Sequence, residues 1–387
     1  MSLPATKPVD RQLPSDEARE LLTLTRDLVD RELRPRAAED EAAGRFPREV
    51  FGTLGEAGLL SLPYAEQYGG GDQPYEVYLQ VLEELAAGWL AVGLGVSVHT
   101  LSCHALATFG SDEQRKRWLP GMLGGEQLGA YCLSEPQSGS DAAALRTRAD
   151  LDGDQYVVSG TKAWITHGGH ADFYSAMVRT GEDGARGISC LLVPGDAAGL
   201  NPAPPEHKMG MRSSPTAQLH FDGVRVDRDR LVGDEGQGFQ IALAALDSGR
   251  LGIAACAVGV AQAALDLAVD YARTRQQFGR PIADFQGLSF MLADMATRIE
   301  AGRALYLAAA RRRDAGLAFS KEAAMAKLFC TDTAMQVAVD AVQVLGGYGY
   351  TQDYPAERYM REAKVLQIVE GTNQIQRLVI GRHLTGK

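Results

Sequence analysis

The hydrophobic period of this chain switches twice, and that double switch constrains the fold more than any other feature. Through residues 15–125 apolar positions recur at helical spacing between Gly and Pro punctuation. Leu21, Leu22, Leu24, Leu28, Val29 and Leu33 form one helical face that should end near Pro35. Further helices are predicted from Pro47 to Ala57, from Tyr75 to Ala87, and from the Ser111-Asp112 cap pair to a stop at Pro120-Gly121. Near Gly125 the pattern becomes short strands, at 128–133, 156–159, 173–178, 188–193, 218–221 and 224–226, separated by turns such as Asp152-Gly153-Asp154 and Pro204-Pro205. Strands at this spacing predict a small barrel or sandwich. From Gly238 the helical period returns over spans near 238–273, 284–314, 319–345, 354–363 and 374–384. Long helices with tight links pack as an antiparallel bundle.

At 387 residues the chain is long enough for two or three domains. Its 39 Lys plus Arg against 49 Asp plus Glu give a net charge of −10, which disfavours nucleic acid or an anionic membrane as the main partner. A few clustered arginines can still hold a phosphate-bearing ligand. The best membrane-span candidate, Leu251 to Leu265, is bracketed by Arg250 and Asp266, too short, and rich in Ala and Gly. The start, Met-Ser-Leu-Pro, soon followed by Asp10, Arg11, Asp16 and Glu17, resembles neither a signal peptide nor a transit segment, so a cytoplasmic location is expected. Cys103, Cys132, Cys190, Cys256 and Cys330 are scattered and should be reduced, packed thiols. His167 and His170 flank two glycines, which suits a turn better than a ligand-bearing helix, and no metal is expected.

One acid has an unusual setting. Apolar Val365, Leu366, Ile368 and Val369 precede Glu370, a Gly-Thr-Asn turn follows, and Ile375, Leu378 and Val379 resume helical spacing. Thr372 or Asn373 is the predicted N-cap, which wedges Glu370 between two apolar faces. Burial there would raise its pKa towards the range useful for a base at neutral pH. The alternative is an acid serving a positive helix N-terminus, worth under about 1 kcal/mol.

Four further segments hold groups suited to a large polar ligand. No Gly-x-Gly-x-x-Gly follows a strand, so a nucleotide cofactor would be held without a dinucleotide fold. Tyr131-Cys-Leu-Ser-Glu-Pro-Gln-Ser-Gly-Ser-Asp141 runs from a strand into a loop offering N–H groups and hydroxyls, a structural or a ligand-binding device. Lys162-Ala-Trp-Ile-Thr-His167 can cover a ring face with Trp164 and supply a hydroxyl from Thr166, or bury the Trp in a domain core. Leu246-Asp-Ser-Gly-Arg250 lies at one end of a long helix. Arg275-Gln-Gln-Phe-Gly279 with Gln343-Val-Leu-Gly-Gly347 offers a bidentate donor and a glycine pair that permits close backbone approach, or simply a solvated charge.

Taken together, these segments resemble the acyl-CoA dehydrogenase family across essentially the whole chain. The resemblance implies an N-terminal helical domain at 1–125, a middle β-barrel at 126–235 and a C-terminal four-helix bundle at 236–387. It implies FAD as cofactor, with Glu370 as the base that takes the α-proton of an acyl-CoA while the β-hydride passes to flavin. In the family, Tyr131, Leu133, Ser134, Ser140, Trp164, Ile165 and Thr166 border the flavin, with a Thr commonly at the position of Ser134. Ser140, Asp247, Arg250 and Gly371 fall on substrate-facing positions. Arg275, Gln277, Phe278, Gln343, Val344, Gly346 and Gly347 match segments that bind the ADP half of a neighbouring subunit's FAD. Gln286, Thr372 and Gln374 match further cofactor-facing positions. The resemblance also implies a homotetramer and an electron-transfer flavoprotein as acceptor. Some branched-chain members carry the base one residue before the Arg of the long helix, where this chain has Gly249. Val369 replaces an aromatic residue often found before the base. Two alternatives remain open: a flavin oxidase or monooxygenase on the same scaffold, and a non-catalytic acyl-CoA-binding member.

Overall fold

The structure, a computed structural model, describes residues 9–386. The leader reading at residues 1–8 lies outside the described residues. Six helices come first: α1 (Asp16–Leu28), α2 (Arg34–Ala43), α3 (Arg48–Glu56), α4 (Tyr75–Gly88), α5 (Leu90–Phe109) and α6 (Asp112–Leu123). Pro35 does not end the first helix as expected. A π-turn at Val29–Leu33 joins α1 to α2, and Pro35 sits in the first turn of α2, where its missing N–H costs nothing. Pro120 likewise falls inside α6, whose start is a capping box between Ser111 and Gln114. The sequence reading missed α5 because it is apolar all round, so it lacks the polar stripe that makes a helix visible.

The β region contains β1 (Gly129–Cys132), β2 (Arg148–Asp152), β3 (Gln155–Thr166), β4 (Phe173–Arg179), β5 (Ile188–Pro194), β6 (Leu200–Pro202), β7 (Thr216–Asp227) and β8 (Leu231–Val232). They form one eight-stranded sheet in the order β6-β7-β3-β2-β4-β5-β8, with β1 pairing parallel to β4 as a branch. The two short strands expected at 218–221 and 224–226 are one strand, β7, because Asp222 and left-handed Gly223 form a bulge in β7 opposite Ser159 of β3 and the pairing resumes on either side. All seven residues of β4 are buried, since the sheet is covered on both faces there. Phe173 and Met177 pack on one face against α5, α6 and α7 residues, whereas Tyr174, Ala176 and Val178 pack on the other among strand side chains.

The C-terminal helices are α7 (Gly238–Thr274), α8 (Gln286–Asp314), α9 (Ser320–Leu345), α10 (Ala356–Leu366) and α11 (Asn373–Thr385). A two-stranded hairpin, β9 (Gln276–Gln277) and β10 (Arg280–Pro281), links α7 to α8. Helices from both ends of the chain bury into one apolar core, with α7 packed against α4, α5, α8 and α9. Glycines make the approach possible. A methyl at Gly252 would lie 2.3 Å from Ser97 Oγ, and one at Gly259 would lie 2.3 Å from the Glu83 carbonyl oxygen.

Among the described residues three helices are long and apolar enough to cross a membrane: Leu90–Phe109, Gly238–Thr274 and the stretch Ser320–Tyr350. That corrects the expectation of a single, too-short candidate. In the first two, 89% and 83% of the most apolar window is buried inside the fold, so their apolarity is spent on the protein core.

A buried charge cluster fastens the N-terminal segment to this core. Glu83 of α4 accepts from Arg11 Nη2 at 2.8 Å, from Arg303 Nη2 of α8 at 2.9 Å, and from the Tyr306 hydroxyl. Burial opposes the carboxylate form of Glu83, but the two guanidinium groups outweigh it and hold its pKa at about 2. Removing one partner from such a cluster leaves uncompensated buried charge. Glu83→Gln should therefore destabilise the protein by about 3–5 kcal/mol at neutral pH, measured by denaturant unfolding. Because the folded pKa lies below the ordinary 4.5, the difference from wild type should be full above about pH 4.5 and shrink as pH falls towards 2.

Candidate active site

Glu370 lies on the tight connection between α10 and α11. Its backbone is left-handed, with φ +52°, and Gly371 follows at φ +90°. A non-glycine residue in that region is strained and persists only where surrounding contacts impose it. They do so here. Thr372 is the N-cap of α11, accepting from the Ile375 N–H at 3.3 Å, and the Asn373 N–H closes back onto the Gln367 carbonyl at 3.0 Å. Gln376 donates to the Gly371 carbonyl at 2.8 Å and to the Glu370 carbonyl at 3.3 Å. Lys327 of α9 donates to the same Gly371 carbonyl at 2.9 Å.

The turn delivers the carboxylate to α7. A methyl placed on Gly249 would lie 2.1 Å from Glu370 Oε2, so the acid fills the notch that this glycine leaves. Part of the residue surface stays accessible, but both carboxylate oxygens are buried and accept no hydrogen bond from any described residue. Burial pushes the carboxyl pKa up to about 7, against the opposing pull of Lys327 and Arg250. Among the described residues no group accepts the Glu370 N–H either. The residue after Gly249, Arg250, is 5% exposed and donates Nη1 to Asp247 at 2.6 Å, and Asp247 also accepts from Ser320 at 2.9 Å. The negative field of Glu370 reaches Tyr131 on β1, whose own hydroxyl bonds the Ala242 carbonyl of α7 at 3.3 Å.

The loop after β1 is fixed from below. Lys162, fully buried on β3, donates to Glu135 at 2.9 Å and to the Leu133 carbonyl at 3.0 Å. Glu135 also accepts the Arg146 and Thr147 N–H groups at 2.6 and 2.9 Å. Burial disfavours its charge, but Lys162 and these donors prevail and hold the carboxyl at about 2. The Ala163 N–H donates to the Ser134 carbonyl at 2.9 Å, so the loop and β3 lie side by side. A bulge between Lys162 and Ile165 turns Trp164 outward at φ +62°, leaving it 63% exposed. Ile165 points the other way into the sheet core, Thr166 is partly buried, Leu133 is buried, and Ser140 is exposed. A 63% exposed indole beside a hydroxyl-bearing loop, rather than a core Trp, is a face offered to something outside this chain's own core.

The remaining predicted residues form a second place. Arg275, Gln277, Val344, Gly346 and Gly347 line a cleft of about 480 Å³ at the far ends of α7 and α9. Phe278, at φ +53°, is 93% exposed on the hairpin beside it, and Gln286, Gln343 and Gln374 are also exposed. Arg250 lies on α7 and Arg275 caps its end 25 residues later, about 37 Å away at 1.5 Å per residue, so the two places are separate within one chain. A larger cleft of about 1140 Å³ lies between α2, residues 204–212 and the start of α10, and contains none of the predicted residues. Several of its charges are already paired, as in Arg361 with Glu357 at 2.6 Å.

Sequence reasoning missed Lys327 and Gln376, the residues that hold the Glu370 turn, and Gly249 as its seat against the helix. Lys327 did leave a signal. It occupies the apolar stripe of α9 defined by Ala323, Cys330, Ala334 and Val337, where a lysine has no packing reason to be.

Comparison with known proteins agrees along the whole chain. The N-terminal, middle and C-terminal domains of acyl-CoA dehydrogenase match residues 15–126, 130–224 and 236–385. An acyl-CoA dehydrogenase of Bacillus subtilis (strain 168) is 46% identical over 94% of this chain and 96% of its own length. Butyryl-CoA dehydrogenase from Megasphaera elsdenii superimposes with a TM-score of 0.94 at 38% identity, covering 97% of this chain and all (100%) of that one. A solved chain described with the electron transferring flavoprotein of Acidaminococcus fermentans gives a TM-score of 0.95 at 41% identity, over 98% of this chain and 100% of that one. The chain is thus a member of the acyl-CoA dehydrogenase family.

Proposed function

We propose that Glu370 is the catalytic base in the α,β-dehydrogenation of an acyl-CoA thioester, with FAD as the cofactor. Members of this flavin-dependent family are oxidoreductases acting on acyl-CoA, and the reaction class follows from membership. The assignment to Glu370 rests on one observation: a buried carboxylate with no protein donor and a pKa near 7. A base matched to neutral pH is what removal of a weakly acidic α-proton requires. As that proton passes to Glu370, negative charge grows on the thioester carbonyl. The Glu370 N–H, which no described group accepts, is a donor suited to that charge. Bound FAD supplies the acceptor for the hydride lost from the β-carbon, so the substrate loses a proton and a hydride and gains a double bond. Arg250 with Asp247, and Ser140 and Gly371, are the substrate-facing groups in this reading.

The residues fit the cofactor in two places. Trp164 and Thr166, with Ser134 and the loop held by Lys162 and Glu135, would hold the ring system, and the outward indole supports this. Arg275 with the Gly346-Gly347 pair would hold a pyrophosphate. Their distance from Arg250 means that this cleft would serve the FAD of a second copy, which supports a dimer at least and, on the family pattern, a homotetramer built as a dimer of dimers. An electron-transfer flavoprotein is the proposed acceptor, in keeping with the Acidaminococcus relative. The three matched segments support domains at 1–125, 126–235 and 236–387.

Glu370→Gln should keep FAD and bind acyl-CoA but lose roughly 10²- to 10⁴-fold in turnover, read by anaerobic bleaching of the flavin. Near-normal bleaching would remove Glu370 from the role. Oxygen uptake compared with dye reduction in the same assay separates a dehydrogenase from an oxidase. The pH profile of kcat/KM for wild type should show an acid limb near 7, with activity falling as Glu370 becomes protonated below it. Gly249→Ala places a methyl where Oε2 lies, and displacing the base should lower kcat about 10²-fold while FAD content is unchanged.

A further inference from the structure

We propose that Lys327 is the positioning residue of this site, clamping the Glu370 turn and holding a positive charge beneath the base. This rests on the reading of Glu370 as the base. Lys327 is fully buried on α9, and its ammonium donates to the Gly371 carbonyl at 2.9 Å and to Asn373 Oδ1 at 2.8 Å. It thus grips the turn on both sides of the cap residue Thr372. Asn373 is held in place in turn, donating to Thr331 at 3.0 Å and to Asp332 at 2.7 Å.

A neutral donor would serve that clamp as well, so the charge needs its own reason. Burying an ammonium is costly unless an anion compensates it. Among the described residues no carboxylate contacts Lys327 directly; its two acceptors are a carbonyl and an amide oxygen. Burial pulls its pKa down to about 7, and Glu370 is the leading group opposing that fall. Glu370 has the mirror-image balance, raised by burial and lowered first by Lys327. Each is the other's principal counter-charge, separated by the peptide of Gly371. The pair titrates together, and its charged form is the one in which Glu370 can accept a proton.

The surroundings offer little else to set that balance. Arg250 and Cys256 face Glu370 from α7, and Arg250 is engaged with Asp247. Tyr75 and Tyr78 approach from α4 and Tyr131 from β1, all with hydroxyl pKa values raised by burial and hence neutral at working pH. Asp332 on α9 acts on Lys327 from the other side. Removing the lysine charge leaves Arg250 as the one cation among these groups.

The test uses the flavin-loaded protein and the pH profile of kcat/KM with a fixed acyl-CoA. Lys327→Met removes charge and donors at similar length. Its acid limb should move up by about one pH unit relative to wild type, about tenfold in activity on the acid side. Lys327→Arg keeps the charge and should leave the limb at or below the wild-type position, whatever it does to kcat. If both variants lose kcat with an unmoved limb, Lys327 is a structural clamp only and the proposal is overturned. If Lys327→Met does not fold, Lys327→Gln, which keeps a donor without the charge, decides: an acid limb moved up supports the proposal, and an unmoved limb overturns it. Failure of the underlying reading looks different, because Glu370→Gln would then stay active irrespective of either lysine variant.

Discussion

The site depends on a carboxylate held against the bare backbone of a helix with no hydrogen bond to its oxygens from any described residue. Water would stabilise the charge of Glu370 far better than this pocket does, and the raised pKa records the difference. The fold maintains the arrangement by over-determining the turn that carries it. A left-handed residue, a helix cap, a glutamine and a buried lysine all fix the same three peptide units. Strain and desolvation are tolerated there because neighbouring contacts offset them, which is the pattern of an acid kept ready to take a proton.

The central helix explains why such a close approach is possible. Gly249, Gly252 and Gly259 lie along α7 at spacings that keep its small residues towards α4, α5 and the Glu370 turn. Each admits an atom that a methyl would exclude: a carboxylate oxygen, a serine hydroxyl and a backbone carbonyl in turn. The stripe that makes α7 look too rich in glycine for a membrane span is what lets helices from both ends of the chain share one core. The same helix carries Asp247 and Arg250 near one end and Arg275 beyond the other, so it sets both the geometry of the base and the separation of the second cleft.

The β region contributes through a comparable device. Its loop carries exposed hydroxyls, yet it is anchored by the ion pair of Lys162 with Glu135 under the sheet surface. That pair is satisfied by three further N–H and carbonyl partners, which is the condition under which buried charge is affordable. Lys162 is two residues from Trp164, and the bulge between them sends one side chain into the core and the other outward.

The long helices, the change to short strands and the helix cap after Glu370 were legible because period and composition are local properties. The two apolar faces expected to bury Glu370 were not its seat, since Ile368 and Leu378 are exposed. Pro35, Pro120 and the uniformly apolar α5 were not legible, since their outcome depends on whether a turn or a burial partner is available elsewhere in the fold. By itself the sequence determined that Glu370 follows a short apolar run and precedes a cap. Only the tertiary structure decided that its carboxylate meets Gly249 from a helix 121 positions earlier and has Lys327 of a third helix beneath it. The physical reason is that solvation and charge pairing act through space, and residues distant along the chain supply both.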